Sequence, residues 1–256
     1  MADNFKADRD GDRTILRITG TDRHDFLQGL VSNHFGADST GAVYAALLSP
    51  QGKYLADFML SNNGDHVLVD IATALATDFT KRLSMYKLRA DVAIEQTDLM
   101  LFRGTGDAPE GAHMDPRHNS LGWRLITSET PAAPANIDWT ERYLAARVPL
   151  TGVDLLPNDS YILEMDFERL HGVDFRKGCY VGQEVTARMK HKTELRKGLA
   201  LLSIEGNVTS GAAIERNGKT IGRIGTVGRS HALAHIRFDR MGDGATADGV
   251  AVAITG

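Results

Sequence analysis

Alternation of apolar and polar residues along the first hundred positions predicts an α+β domain. Strands are indicated by RTILRIT at 13–19, by the two halves of AVYAALLSPQGKYLADFMLS at 42–61, and by HVLVDI at 66–71. The Ser-Pro-Gln-Gly sequence in the middle of the second stretch predicts a hairpin turn. Apolar residues at helical spacing predict two helices, one within 21–32 and one within 76–88.

The middle of the chain has a more mixed pattern. Short strands are predicted at 90–96 and 99–104, and GWRLIT predicts another at 122–127 between segments rich in Gly, Pro, Asn and Asp. DWTERYLAARV predicts a helix, because Asp138 can cap its first turn. YILEMDFERL at 161–170 predicts a further helix that ends before Gly172.

From Lys197 onward, short apolar runs alternate with glycine turns. Several short strands at this spacing are typical of a small β-barrel or sandwich. We therefore divide the chain into an N-terminal α+β domain at 1–103, a middle α+β region at 104–196 and a C-terminal β-barrel at 197–256.

Composition narrows the class of protein. The 42% hydrophobic and 24% charged residues are typical of a globular chain, and 256 residues favour two or three domains. No apolar run is long enough to span a bilayer, so we expect no membrane partner. The single cysteine excludes a disulfide framework, and the acidic N-terminus resembles neither a secretory signal nor a transit peptide. These features predict a cytoplasmic location.

Positive charge is concentrated in one segment of a chain whose net charge is −4. Residues 176–197 contain seven cations against the two acids Glu184 and Glu194: Arg176, Lys177, Arg188, Lys190, Lys192, Arg196 and Lys197. Two interpretations remain open for this segment. It forms a solvated helix face, or it forms a basic rim for an anionic ligand or for RNA.

Several common motifs are excluded. NGKT at 217–220 lacks the first glycine of a phosphate-binding loop, since Ala213 occupies that position. The glycines at 222, 225 and 228 do not have the spacing of a dinucleotide-binding turn. The nine histidines form no metal-binding motif, so we predict no metal held by this chain alone.

The segment RKGCYVGQEVTAR at 176–188 contains the only cysteine. Lys177 and Arg176 bring positive charge toward Cys179, which favours its thiolate form. The neighbouring glycines permit a close approach of a ligand, and the amide and carboxylate that follow can pair with the edge of a heterocycle. The alternative is that Cys179 is a buried core residue.

KGCYVGQE at 177–184 resembles the signature of the YgfZ/Iba57 family of folate-binding proteins, which are relatives of the glycine-cleavage aminomethyltransferases. Weaker similarities extend this resemblance over most of the chain, in the expected order. They include ITGTDRHDFLQGLVSNHF at 18–35, ALLSPQGKYLADFML at 46–60 and GKTIGRIGTVGRSHALAHIRFD at 218–239. The eight-residue signature is the most specific of these matches.

The resemblance implies three domains around a central cavity: two ferredoxin-like α+β domains and a final β-barrel. It also implies tetrahydrofolate as the cofactor and a role in assembling or maintaining iron–sulfur proteins, which would be the partners. Cys179 and Lys177 would supply the reactive group. The residues that the resemblance and their chemistry assign to folate binding are Gly178, Tyr180, Gly182, Gln183, Glu184, Arg188 and Asp57.

Two other functions remain open at this point. A folate-dependent aminomethyl- or methyltransferase would use the carboxylate of Asp57. The related transferases have a pair of aspartates there, whereas this chain has Ala56-Asp57. An RNA-binding module would use the basic segment, although Tyr180 is its only aromatic residue. The sequence does not decide whether the protein is an enzyme.

Overall fold

Residues 5–191 and 195–255, which the computed structural model describes, contain a five-stranded sheet, a four-stranded sheet and a closed barrel. The chain divides into two compact units. The first consists of residues 1–51, 55–137 and 168–183, and the second of 52–54, 138–167 and 184–256. This mixture of helices and strands with a C-terminal barrel confirms the predicted α+β class, whereas the three domain boundaries stay a prediction.

The first unit contains both open sheets, except that Tyr54, the first residue of β4, belongs to the second unit. In chain order its elements are β1 Asp8–Arg9, β2 Arg13–Thr19, α1 Arg23–Gln28, β3 Ala42–Leu48, β4 Tyr54–Asn63, β5 His66–Ala72, α2 Thr73–Lys87, β6 Ala93–Gln96, β7 Met100–Gly104, β8 His113–Met114 and β9 Trp123–Thr127. The five-stranded sheet has the order β3-β4-β5-β2-β6, and the four-stranded sheet has the order β1-β7-β9-β8. The strands predicted at 13–19, 42–61 and 66–71 are confirmed.

Helix α2 packs on the five-stranded sheet through one apolar face. Its buried residues Ala76, Phe79 and Leu83 recur at helical spacing, and the Phe79 ring lies 4.8 Å from the Phe58 ring of β4. Burying a large apolar side chain contributes about 1.5–3 kcal/mol. This face therefore explains why the segment forms a helix against the sheet.

Helix α1 is shorter than the predicted segment, because it ends at Gln28. Leu30 and Val31 are nevertheless buried, in the turn that follows the helix. They join the same apolar core as Leu27. The apolar spacing therefore identified the core residues correctly but overestimated the length of the helix.

The second unit contains the barrel and two helices. Its elements are α3 Trp139–Ala145, α4 Gln183–Lys190, β10 Lys197–Ile204, β11 Ala213–Arg216, β12 Lys219–Val227, β13 His231–Arg237, β14 Thr246–Ala247 and β15 Val250–Ile254; Gln183, the first residue of α4, belongs to the first unit. The barrel closes in the order β10-β13-β12-β11-β14-β15. Asp138 caps α3 as predicted, since its carboxylate accepts a hydrogen bond from Glu141 N at 3.1 Å.

The helix predicted at 161–170 is absent, because these residues form a series of turns. Asp166 has φ = 61°, in the left-handed region that a right-handed helix cannot include. Aspartate tolerates this conformation better than most residues do. Among the described residues, no helix has the length and apolar character needed to cross a membrane.

Candidate functional site

The side chain of Lys177 is buried at 7% exposure and is bonded to the backbone of α1 and the turn after it. Its Nζ donates to the carbonyl oxygens of Gln28 at 2.8 Å, Val31 at 2.5 Å and Asn33 at 2.9 Å. An ammonium group has three N–H donors, so this arrangement uses all of them. These partners could not be predicted from the sequence, because backbone carbonyls carry no side-chain signal.

These contacts follow from the early end of α1. The last carbonyls of a helix have no partners within the helix, and its C-terminal end carries partial negative charge, so a cation is favourable there. Burial lowers the pKa of Lys177 to about 8, while the charge of Asp174 acts in the opposite direction. At neutral pH the group is therefore mainly protonated and can donate to three acceptors.

Tyr180 and Val181, which follow Cys179, fix the same loop within the first unit. The ring of Tyr180 is buried and its centroid lies 5.1 Å from Lys177 Nζ, within cation–π range. Val181 packs against the apolar core of the five-stranded sheet. The signature loop is thus anchored immediately before and after Gly178 and Cys179.

Cys179 itself is exposed, which contradicts the alternative in which it fills the core. Gly178 is also exposed, and no atom lies within 4 Å of the position that a Cβ would take there. Backbone and thiol are therefore both accessible at this point of a loop whose flanking side chains are buried.

A buried serine fixes the chain that leads into the signature. Ser32 Oγ donates to Gly172 O at 2.6 Å and accepts from Ala46 N in β3 at 2.8 Å, while its carbonyl accepts from Asp174 N at 3.1 Å. Sequence reasoning missed Ser32. The available signal was a polar residue directly after the apolar run Leu30-Val31.

The remaining residues of the signature and Arg188 lie on or next to α4. Gly182 has φ = 83°, a conformation that favours glycine, and Gln183 begins the helix half-buried. Glu184 and Arg188 belong to the second unit, are exposed, and form an i,i+4 ion pair of 3.0 Å. Arg188 is therefore already paired with one carboxylate.

Asp57 is buried in β4 of the first unit. Its carboxylate accepts a hydrogen bond from the hydroxyl of Tyr44 at 3.1 Å, and the guanidinium of Arg117 lies 5.4 Å from the Tyr44 ring. The carboxylate that a transferase would need is thus present and bonded to a neighbouring strand.

A buried network of ion pairs joins the two sheets of the first unit, and sequence reasoning missed it. Arg124 of β9 is paired both with Asp70 of β5 and with Asp115, the latter at 3.3 Å. Arg13 contacts Asp70 at 2.6 Å, and the guanidinium of Arg117 donates two hydrogen bonds to Asp115, at 2.9 and 2.7 Å. The available signal was an arginine within WRLIT, a strand that is otherwise mainly apolar.

The basic segment is only partly described. Lys192 and Glu194 lie outside the described residues. Of the others, Lys177 is buried and hydrogen-bonded to three backbone carbonyls, and Arg188 is paired with Glu184. Arg176, in contrast, is 96% exposed. Within residues 5–191 and 195–255, no group of three His, Cys, Asp or Glu side chains is arranged to hold a metal ion.

Replacing Lys177 by methionine is expected to lower the free energy of unfolding by about 2 kcal/mol, because three carbonyls lose a charged donor. Arginine at this position should recover only part of the loss, since a planar guanidinium cannot match three carbonyls that converge on one nitrogen. Urea denaturation measures both changes. The rate of Cys179 alkylation should also change in Lys177→Met, because the loop that carries the thiol loses one anchor.

The control is Arg176→Met, which removes the adjacent cation from an exposed position. Exposed substitutions of this kind usually change stability by less than about 0.5 kcal/mol. If Lys177→Met and Arg176→Met gave equal stabilities and equal alkylation rates, the contacts of Lys177 would not fix this loop.

Comparison with known proteins gives consistent findings for the family of this chain. The family model described as CAF17, C-terminal beta-barrel domain, matches residues 196–255. The iron–sulfur cluster assembly factor IBA57 homolog, mitochondrial, of Mycosarcoma maydis is 33% identical over 75% of this chain, which spans 55% of that relative's length. IBA57 of Homo sapiens and of Mus musculus are each 30% identical, over 82% and 90% of this chain and 71% and 76% of their own lengths.

A solved structure shares the fold. It is the glycine cleavage system aminomethyltransferase T from Bartonella henselae, with a TM-score of 0.73, 13% sequence identity, and coverage of 97% of this chain and 84% of that one. At this identity the likeness concerns the fold alone. It supports the predicted multi-domain arrangement of α+β elements with a barrel.

The predicted cytoplasmic location is wrong. The IBA57 relatives of Mycosarcoma maydis, Homo sapiens and Mus musculus are named as mitochondrial proteins. The prediction failed because a low cysteine content separates reducing from oxidising compartments and does not distinguish one reducing compartment from another.

Proposed function

The chain belongs to the IBA57 family of iron–sulfur cluster assembly factors, and from this premise we propose that it assists the assembly or maintenance of iron–sulfur proteins. We further propose that the thiol of Cys179 is its reactive group and that tetrahydrofolate is its ligand. The partners would be other assembly factors or the proteins that receive a cluster.

The observation that carries the proposal is the exposed thiol on an anchored loop. Cys179 is the only cysteine of the chain, is exposed, and lies between two buried side chains of the signature, Lys177 and Tyr180. An exposed cysteine that merely filled space would gain little from such anchoring. A thiol that must meet a partner at a defined position binds that partner more tightly when its loop is fixed, because less conformational freedom is lost on binding.

One thiolate supplies one of the four ligands that a cluster usually takes from proteins. In this proposal the cluster is cargo, and its other ligands come from a partner chain or from glutathione. Cys179 gives up its proton when it binds iron, as a ligating thiol does. The role of Lys177 is to fix the loop, since all of its donors are bonded to carbonyls.

Folate binding is supported by the family signature and by the chemistry of the residues after the cysteine. Gln183 and Glu184 offer the amide and carboxylate that pair with a pterin edge, and Arg188 offers a cation for a glutamyl carboxylate. Gly178 leaves the backbone uncovered, whereas Gly182 is half-buried. Gly182 and Tyr180 enter the proposal through the family signature alone. Binding of a glutamyl group by Arg188 would compete with its present ion pair with Glu184.

We expect calorimetry to detect binding of tetrahydrofolate at or below about 1 mM ligand. Arg188→Gln should weaken the affinity about tenfold, because a hydrogen bond between charged groups contributes about 1.5–3 kcal/mol. Lys219→Gln is the matched control, since it removes one exposed cation from the barrel. It should leave the affinity unchanged.

The absence of heat at about 1 mM ligand would remove folate from the proposal while leaving the assembly role intact. Equal weakening by Arg188→Gln and Lys219→Gln would show that net charge, and not a specific contact, determines the affinity. The assembly role has a separate test: cells that lack the protein should lose activity in iron–sulfur enzymes generally, and unchanged activity would contradict it.

A folate-dependent aminomethyl- or methyltransferase is the second candidate. It is favoured by the buried carboxylate of Asp57, which is the single acid left at the position of the transferases' pair. Turnover of a methylamine donor with tetrahydrofolate would support this candidate. It also predicts that Asp57, and not Cys179, is essential.

A further inference from the structure

The C-terminal end of α2 exposes an unusual amount of apolar surface. Within the described residues six large apolar side chains are exposed, and three of them lie here: Met85 at 70%, Tyr86 at 43% and Leu88 at 89%. Single exposed apolar residues are normal, whereas a cluster usually indicates an interaction site. We call Lys81–Arg89 the α2 tip.

Two of these side chains, Met85 and Leu88, do not belong to the face that packs on the sheet, whereas Tyr86 lies at the edge of that face, three positions after Leu83. That face consists of Ala76, Phe79 and Leu83. Met85 follows Leu83 by two positions, which is about 200° around a helix, so it points away from the core. Leu88 comes after the last helical residue, Lys87. Packing within the first unit therefore does not explain why Met85 and Leu88 are apolar.

The backbone at Leu88 adds an independent observation. Leu88 has φ = 44°, a conformation that costs free energy for a residue with a Cβ. The other non-glycine residues with positive φ in the described chain are Asn, Asp, His or Arg, so Leu88 is the only aliphatic one. Glycine would adopt this conformation at lower cost, and at 89% exposure the leucine gains no packing in return.

Positive charge surrounds the apolar side chains. Between Phe79 and Ala90 the sequence has four cations, Lys81, Arg82, Lys87 and Arg89, and no acid, although the whole chain has a net charge of −4. Asp78 and Asp91 flank the segment, and the carboxylate of Asp91 accepts two hydrogen bonds from Thr21. The α2 tip therefore combines exposed apolar side chains with a local excess of positive charge.

We propose that the α2 tip docks on the surface of an anionic lipid bilayer. Leu88, Met85 and Tyr86 insert at the boundary between headgroups and acyl chains, and the four cations pair with the phosphates of the headgroups. Apolar side chains next to Lys and Arg are the composition of segments that bind at such interfaces. The strained leucine gains burial only when it is inserted.

The size of the tip favours a bilayer over a protein partner. A stable protein interface buries about 800 Å² on each side, from about 20–30 residues. Three apolar side chains at the end of one helix supply much less than this area, whereas a bilayer requires only shallow insertion and electrostatic attraction. The expectation of no membrane partner rested on the lack of a spanning segment, which does not bear on a surface contact.

The test is co-sedimentation of the full chain with vesicles of phosphatidylcholine alone and with vesicles that contain about 30% phosphatidylglycerol, whose anionic charge attracts basic side chains. We expect binding to the anionic vesicles only. Met85→Ser/Leu88→Ser and, separately, Lys87→Gln/Arg89→Gln should each reduce the partition coefficient about tenfold or more. Lys219→Gln/Arg240→Gln removes the same charge from exposed positions of the barrel unit and should leave it unchanged.

The proposal is wrong if the chain does not bind anionic vesicles at low salt, or if the serine variant binds as well as the unchanged protein. It is also wrong if the barrel control loses as much binding as Lys87→Gln/Arg89→Gln. If light scattering instead showed that the serine substitutions abolish self-association, the α2 tip would be a contact between copies of this chain and the lipid proposal would fall.

Discussion

Replacing Cys179 by serine is expected to abolish the ability of the protein to support iron–sulfur enzymes, with a loss of at least about tenfold in a complementation assay. Serine is close to cysteine in shape but binds iron poorly, because soft thiolates are the ligands that iron–sulfur clusters select. The measurement is the activity of iron–sulfur enzymes in cells in which the variant replaces the normal protein.

The fold should not change in this variant. Cys179 is exposed, and the contacts that fix its loop come from Lys177 and Tyr180. An exposed substitution without such contacts changes stability by less than about 0.5 kcal/mol. Loss of function at unchanged stability would therefore identify the sulfur atom itself as the required group.

Asp57→Asn is the matched variant in the same assay. An asparagine side-chain oxygen can still accept the hydrogen bond from the Tyr44 hydroxyl, so shape and contact are retained while the negative charge is lost. If Asp57→Asn complements fully and Cys179→Ser does not, the thiol is the essential group. Full complementation by Cys179→Ser together with failure of Asp57→Asn would instead support the transferase.

Local pattern was sufficient to predict most elements of the fold. β3 and β4 were predicted as a hairpin because apolar runs flank Ser49-Pro50-Gln51-Gly52, and the barrel was predicted because strand-sized runs alternate with glycine turns. The failure at 161–170 has a specific cause. A backbone with positive φ at Asp166 overrides a sequence that otherwise favours a helix, and composition alone does not reveal that conformation.

The candidate site was predicted as a list of residues but not as an arrangement. The acceptors of Lys177 are carbonyls that lie 144–149 positions earlier in the chain, so only the folded chain brings them together. The same applies to Arg124, whose two carboxylate partners are 54 and 9 positions away. Contacts of this kind depend on tertiary structure, which periodicity does not encode.

Replacing Arg124 by methionine is expected to lower the free energy of unfolding of the first unit by about 3–5 kcal/mol, the usual effect of removing one partner from a buried ion pair. Arg124 is the cation shared by Asp70 and Asp115, and all three side chains are buried. Without it, each carboxylate keeps one arginine, Arg13 or Arg117, but loses the second and remains away from water.

Tryptophan fluorescence during urea denaturation can measure this change in the first unit. Trp123 is buried in that unit, and Trp139 belongs to the second, so a Trp139→Phe background leaves a single reporter. Arg17→Met is the control, since Arg17 forms a more exposed ion pair with Glu95 at 3.3 Å in the same unit. Such pairs contribute about 0–1 kcal/mol.

Lowering the pH should weaken the same ion-pair network, because its carboxylates lose their charge when they are protonated. Burial raises the pKa of both Asp70 and Asp115. The charges of Arg124 and Arg13 outweigh this effect at Asp70, and the charges of Arg117 and Arg124 outweigh it at Asp115. Both pKa values therefore lie below the ordinary value of 3.8. A carboxyl with a lowered folded-state pKa stabilises the fold above 3.8, and that contribution is lost as the pH falls below it. We therefore expect the free energy of unfolding to decrease steadily as the pH falls from about 5 toward 2.

In Arg124→Met the free energy of unfolding should depend less steeply on pH. Burial still opposes ionisation of the two carboxyls, but the charge of Arg124 no longer favours it, so both pKa values rise. In Arg17→Met the pH dependence should keep its slope, since Asp70 and Asp115 retain all their arginines. An Arg124→Met variant that lost about 3–5 kcal/mol but kept the full acid slope would show a packing defect and not a loss of charge pairing. A loss equal to that of Arg17→Met would show that the network does not stabilise the contact between the two sheets.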